Sequence, residues 1–220
     1  MTMRQARSEV TRRKIIDAAV SLFNDIGYSN VGLGDIVEHA GLTKGALYHH
    51  FSSKEALAAA IIDEGSDILL KTFQSISRSP APALESIIHG VLVVVEMANA
   101  DKLVRMGAVL LRIFAKFSDV STTNYGAWLA EMATQTRRAQ SEGDLRADID
   151  AQKAAEFIMS ALLGAELVSN ALSGGADALE RVTETWELLL PAVASEQSLP
   201  YLREYLGRES MRRHSRSAST

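Results

Sequence analysis

Leu33-Gly34-Asp35-Ile36-Val37-Glu38-His39-Ala40-Gly41-Leu42-Thr43-Lys44-Gly45-Ala46-Leu47-Tyr48-His49-His50-Phe51 reads as two short helices joined at a glycine. Leu33, Ile36, Val37 and Ala40 fall on one side of the first, and Leu47 and Phe51 form the inner face of the second. Gly41 stands where such a turn usually demands a positive φ. The Thr43 hydroxyl is placed to cap the second helix and leave its first amides outward, where they, the helix dipole and Lys44 favour phosphate. The outer face is small. Lys44, Gly45 and Ala46 let the backbone approach closely, as entry into a DNA major groove requires, with Ala46 suited to a thymine methyl and Lys44 to a guanine edge. Tyr48, His49, His50 and Lys54 follow as hydrogen-bonding groups for phosphates at the rim.

Upstream, Ile15, Ala19, Leu22 and Ile26 share a helical face, and Gly27 marks a stop. Downstream, Ser52 and Glu55 have capping-box spacing at the start of a fourth helix. Leu57, Ile61, Ile68 and Leu69 carry that helix toward Ser79-Pro80-Ala81-Pro82. Further helices are expected over 83–99, 101–117, 124–142, 151–173 and 177–190, so the chain reads as all-α. Leu103, Met106, Leu110, Phe114 and Phe117 form one stripe of the second of these. The helix over 151–173 is apolar around much of its circumference, with Phe157, Ile158, Ala161, Leu162, Ala165 and Val168. Such a helix must be buried twice, by its own domain and by something else. Leu179, Val182, Trp186, Leu189 and Leu190 stripe its successor. Pro191 and Pro200 interrupt the pattern, and the Ser/Arg-rich stretch from Arg208 to Thr220 reads as a disordered basic tail.

The expected organisation is a three-helix helix-turn-helix domain over 1–52, a linking helix over about 53–78, a second helical domain over 79–206 and a tail over 207–220. Charge follows this division. The net charge of −4 hides a basic start. Residues 1–54 hold seven Lys/Arg against five Asp/Glu, whereas 55–206 hold twelve against twenty-one. Arg4, Arg7, Arg12, Arg13 and Lys14 crowd the N-terminus, so Arg12 and Arg13 are expected to join the phosphate contacts. The absence of cysteine removes disulfides and thiolate chemistry and is compatible with the cytoplasm. No secretory signal is read at the start, and the apolar run Val91–Val95 is too short to span a bilayer, so no membrane role is expected.

The run Gly41–Phe51, followed by Ser53-Lys54-Glu55-Ala56-Leu57, resembles the TetR family of regulators. So does the upstream spacing Ala18-Ala19-x-x-Leu22-Phe23-x-x-x-Gly27-Tyr28. The resemblance covers about residues 9–60. It departs at Gly32, where the family usually carries a Thr or Ser cap. It implies a homodimer that reads a palindromic double-stranded DNA operator, paired through its last two long helices, with a small-molecule effector bound in the second domain. Phe157, Leu162, Ala165, Trp186 and Leu189 are accordingly expected at the dimer interface. Tyr125-x-x-Trp128 and Gly143-x-Leu145-Arg146-x-Asp148-Ile149-Asp150 further resemble the γ-butyrolactone-receptor branch, in which the matching tryptophan lines the ligand pocket. Trp128, Tyr125, Met106, Phe114, Met132 and His89 are the expected wall of a pocket for a largely apolar effector.

Bland roles stand beside these. His89 lies among Ile87, Ile88 and Val91, where a polar filler is common, and the methionines and Trp128 also suit a plain core. His49 and His50, adjacent on a helix, point about 100° apart and cannot chelate one metal together. No cofactor or metal is expected, and no enzymatic motif is found: there is no G-x-S-x-G and no H-E-x-x-H. A helical enzyme or adaptor with a coincidental helix-turn-helix, and an activator or effector-independent regulator, remain as alternatives to a ligand-released repressor.

Overall fold

Helices α3, α4, α6 and α8 begin where a short polar side chain takes up amides that have no partner within the helix. A computed structural model describes residues 3–114 and 119–217, and these form ten α-helices and one 3-10 turn. They are α1 (Met3–Ile26), the turn Tyr28–Asn30, α2 (Leu33–His39), α3 (Lys44–His50), α4 (Lys54–Ser77), α5 (Ala83–Ala100), α6 (Lys102–Ile113), α7 (Asp119–Glu142), α8 (Ala151–Ser173), α9 (Ala178–Val193) and α10 (Leu199–Ser217). Phe117, assigned above to a stripe, lies outside the described residues. Asp101 caps α6 by accepting from the amides of Leu103 (2.8 Å) and Val104 (3.1 Å), and Asp150 caps α8 through the Lys153 amide (2.9 Å). Gly174, at φ 64°, closes α8 in the left-handed region.

The chain divides into two compact units, Met1–Leu69 with Ala100–Asn124, and Leu70–Asn99 with Tyr125–Thr220. The expected break near residues 52–79 does not coincide with this division. The boundary falls inside α4 and α7, and α6 is grouped with the N-terminal helices. In the first unit, α1 packs against α2, α3 and α6. Ile15, Ile16, Ala19 and Phe23 of α1, Ile36, Leu47, and Leu57, Ile61 and Ile62 of α4 are buried. In the second unit one core joins Phe73, Ile87, Ile88, Leu92, Met132, Ile158, Val182, Trp186 and Leu190. Gly90 makes room there: a Cβ on it would lie 2.7 Å from the Phe73 ring.

The C-terminal segment corrects the expectation of a disordered tail. Residues 207–217 continue α10, and Leu202, Leu206, Glu209 and Arg213 are buried. Compensated charge, rather than apolar content, holds the end of this helix. Glu209 meets His89 Nδ1 at 2.5 Å and Arg213 at 2.6 Å, and Arg213 lies 3.3 Å from Glu96. Pro191 sits inside the last turns of α9, and Pro200 occupies the first turn of α10, where no intrahelical amide bond is lost. By length and composition α5 and α8 could each cross a membrane. Most of α5 is buried in the core, whereas α8 shows an apolar outer side.

Candidate nucleic-acid interface

Gly41 has φ +62°, the left-handed conformation expected from the turn between α2 and α3. At the start of α3 the Thr43 hydroxyl accepts from the Ala46 amide at 3.2 Å, a cap of the kind that contributes about 0.5–2 kcal/mol. Gly32 caps α2 by the opposite route. It has no side chain, and its own amide donates to the Asp35 carboxylate at 2.8 Å. Leu47 and Phe51 point into the core, while Thr43, Lys44, Gly45, Tyr48 and His49 are exposed; Ala46 and His50 are half-buried. Tyr48 is 57% exposed, unusual for so large a ring without a partner surface. The rings of His49 and His50 stand 5.2 Å apart. Burial, then the charges of His49 and Arg12, hold the His50 pKa below its ordinary value.

Three expected contacts are otherwise engaged. Lys54 Nζ donates to the carbonyls of Tyr28 (2.9 Å) and Val31 (2.8 Å) and lies 4.2 Å from the Tyr28 ring centroid. It therefore clips the end of the 3-10 turn to the start of α4, rather than standing free at a phosphate rim. Arg12 lies over the Phe51 ring and 3.7 Å from Glu64, and Arg13 pairs with Glu64 and, at 2.8 Å, with Asp17. No sequence signal pointed to Glu64, which is fifty-one residues from Arg13. The cap of α4 also moves by one residue: Ser53, not Ser52, accepts from the Ala56 amide, at 3.1 Å. The Glu55 carboxyl is held below its ordinary range by its own amide and by Ser53.

The expected effector residues are distributed over both units. Met106 and Phe114 belong to the first unit, Met106 buried on α6 and Phe114 edge-on to Tyr28 at 5.5 Å. His89, Tyr125, Trp128 and Met132 belong to the second. Met132 is buried in its core, and Trp128, half-buried, meets Phe73 edge-on at 5.6 Å. His89 is bound to Glu209. The second unit also buries Ser86 Oγ, Gln135 Oε1 and Trp186 Nε1 without a hydrogen-bond partner. An unmet buried polar group costs about 1–3 kcal/mol, so these atoms call for an occupant or a function.

The expected dimer residues are corrected similarly. Trp186 (0% exposed) and Leu189 (3%) are core of their own protomer, as is Leu162 (9%), and Ala165 packs against that core. Only Phe157 faces out, at 52%. The other large apolar residues exposed on these two helices are Leu163, Leu167, Val168 and Leu172 of α8 and Leu188 of α9. Part of the signal was present as a second stripe: Phe157, Leu167 and Val168, with Gly164 and Ala171 between them, recur at helical spacing away from Ile158 and Leu162, whereas Leu163 and Leu188 fall outside it. Among the described residues no group of three or more His, Asp or Glu is arranged to hold a metal ion.

Residues 15–61 match the family described as bacterial regulatory proteins, tetR family, and residues 116–186 match the tetracyclin repressor-like C-terminal domain. The A-factor receptor protein of Streptomyces griseus is 35% identical over 191 residues, which is 87% of this chain and 66% of that protein. The chain thus spans about two thirds of that relative's length. The structure of full-length TylP, a TetR regulator from Streptomyces fradiae, is 31% identical with a TM-score of 0.65, covering 96% of this chain and 94% of that one. A γ-butyrolactone receptor described as ArpA-like is 25% identical with a TM-score of 0.75, covering 94% and 99%.

Proposed function

The chain belongs to the TetR family of bacterial regulatory proteins, non-enzymatic DNA-binding transcriptional regulators, and from that premise we propose that it is a cytoplasmic homodimeric repressor released from a palindromic operator by a γ-butyrolactone-like signal. The exposed, capped α3 carries the DNA half of this reading. Its amide end, Lys44, Gly45 and Ala46 enter the major groove, and Tyr48, His49 and His50 meet phosphates at the rim. Thr43 holds the helix end in shape as well as facing the DNA. Arg12 and Arg13 act at one remove, by fixing α1 to α4 through Glu64.

The outer stripe of α8, with Leu188 of α9, is the surface on which a second copy closes. Five large apolar side chains exposed on one helix suit a partner of the same kind better than water. Two recognition helices then meet half-sites one DNA turn apart, ~34–36 Å, or a multiple of it. The second unit takes the effector. Half-buried Trp128 beside Phe73 offers apolar wall, and unmet Ser86, Gln135 and Trp186 offer hydrogen bonds to an otherwise apolar molecule carrying carbonyl or hydroxyl oxygen. Support for a lactone comes from the receptors named above.

A gel shift with labelled fragments from the gene's own promoter region, with and without a γ-butyrolactone, tests both halves. A retarded band that the lactone abolishes supports the reading. A band that persists at saturating lactone removes the effector half and leaves the regulator.

A further inference from the structure

Helix α6 touches the helices around the helix-turn-helix at three places along its length. At its start the Lys102 carbonyl lies 3.4 Å from Asn24 Nδ2 of α1. Midway, α6 crosses α4 with glycine on both sides. A Cβ on Gly107 would lie 3.0 Å from the Ile61 carbonyl oxygen and 3.3 Å from Gly65 Cα. A Cβ on Gly65 would lie 3.3 Å from the Leu103 carbonyl oxygen and 3.4 Å from Gly107 Cα. The obstructing atoms are backbone, which cannot swing aside as the end of a side chain does. At the end of α6, Phe114 packs edge-on to Tyr28, and Tyr28 packs on Phe23 at 5.1 Å and under Lys54 Nζ. Tyr28 opens the turn that leads into α2.

We infer that α6 is a built part of the DNA-reading unit and that Gly107 and Phe114 are positioning residues for operator binding, an inference that rests on α3 being the DNA-contacting helix. Neither residue touches DNA. Gly107 sets the distance at which α4 crosses α6. Phe114 holds the corner at Tyr28, from which α2 and α3 are hung. A methyl group between α4 and α6 pushes the helices apart, and loss of the Phe114 ring lets the corner drift. In both cases α3 is presented off its best angle with every DNA-facing side chain intact.

The test uses the full-length dimer and a double-stranded fragment that the wild type selects from random-sequence DNA. Gly107→Ala, Gly65→Ala, Phe114→Leu and Phe114→Tyr are compared with Lys44→Ala and Tyr48→Phe for dissociation constant, salt dependence and melting temperature, well below the melting point. Gly107→Ala and Phe114→Leu are expected to weaken binding about five- to tenfold per folded dimer. The salt slope should stay unchanged because no phosphate contact is lost, Gly65→Ala should act less, and Phe114→Tyr should bind as the wild type does. A purely structural role would move the melting temperature and leave the affinity of the folded dimer within about twofold of wild type, and that result overturns the inference. If Gly107→Ala does not fold, Gly65→Ala and Phe114→Leu decide by the same criterion. Weakened Lys44→Ala with unchanged α6 variants overturns the positioning role alone. Unchanged Lys44→Ala and Tyr48→Phe overturn the assignment of α3, and this inference with it.

Discussion

The outer face of α3 and the outer face of α8 belong to the same kind of secondary structure and differ in how much apolar surface they show to solvent. On α3 and its cap the outward residues are polar or small, Thr43, Lys44, Gly45 and His49, with a large phenol ring exposed at Tyr48. On α8 they are polar in the first turns, at Gln152, Lys153 and Glu156, and beyond these include Phe157, Leu163, Leu167, Val168 and Leu172. A helix needs only one apolar stripe to fold onto its neighbours. What the other side carries is therefore free to be set by a partner: under the proposed function, hydrogen-bonding groups on a close-approaching backbone suit a phosphate-lined groove, and exposed apolar area suits a copy of the chain. Neither face contributes to the protomer's own core.

The sharpest way to break this contrast is to put charge on α8. Leu167→Asp combined with Leu172→Asp is expected to leave the protomer folded and weaken the dimer at least ~100-fold, because a carboxylate taken out of water unpaired is costly. Light scattering at micromolar concentration checks it, and operator binding should fall in step. Leu162→Asp should behave differently, unfolding the protomer, since Leu162 is core.

Two lysines then separate fold from recognition within the first unit. Lys54→Met removes bonds to the Tyr28 and Val31 carbonyls and should cost about 1.5–3 kcal/mol of stability in chemical unfolding. The salt slope of operator binding should be unaltered. Lys44→Ala and Tyr48→Phe should leave the unfolding midpoint in place and weaken the operator complex by about 1–3 kcal/mol at most, Lys44→Ala also lowering the salt slope by about one if it meets phosphate. Exchanged phenotypes for the two lysines would invert the assignment.

Trp128→Ala should raise the lactone concentration needed for release about tenfold while operator affinity stays as in the wild type, a change within the usual range of coupling energies. Titration of the gel-shifted complex reads it. Asp177 gives the smallest effect. Hydrogen bonds from Ser169 and Ser173, with Arg181 beside it, hold its carboxyl down from 3.8 to about 2. A depressed folded-state pKa contributes stability above the unfolded value, and that contribution is lost as pH falls from 3.8 toward 2. Asp177→Asn should flatten the acid limb of the stability profile in that window, measured by thermal melts at stepped pH, and leave the alkaline limb as it was.

The helix-turn-helix was legible because its determinants are local. A positive φ at Gly41, a hydroxyl at Thr43 and a buried pair at Leu47 and Phe51 act within a few residues of one another, so spacing alone identifies them. The helical class and the span of α8 were legible for the same reason. What the sequence could not order is pairing over distance. Glu64 claims Arg12 and Arg13, two backbone carbonyls claim Lys54, and Glu209 with Arg213 turns an apparently unstructured basic tail into a docked helix through His89. Helical periodicity also shows that α8 has two apolar sides without showing which is inward. Only the packing of α9 and α5 placed Leu162 and Trp186 inside and left Leu167 out. Local backbone chemistry is written residue by residue along the chain, whereas the choice of which side faces inward, and which charge meets which, is made by neighbours that only folding brings together.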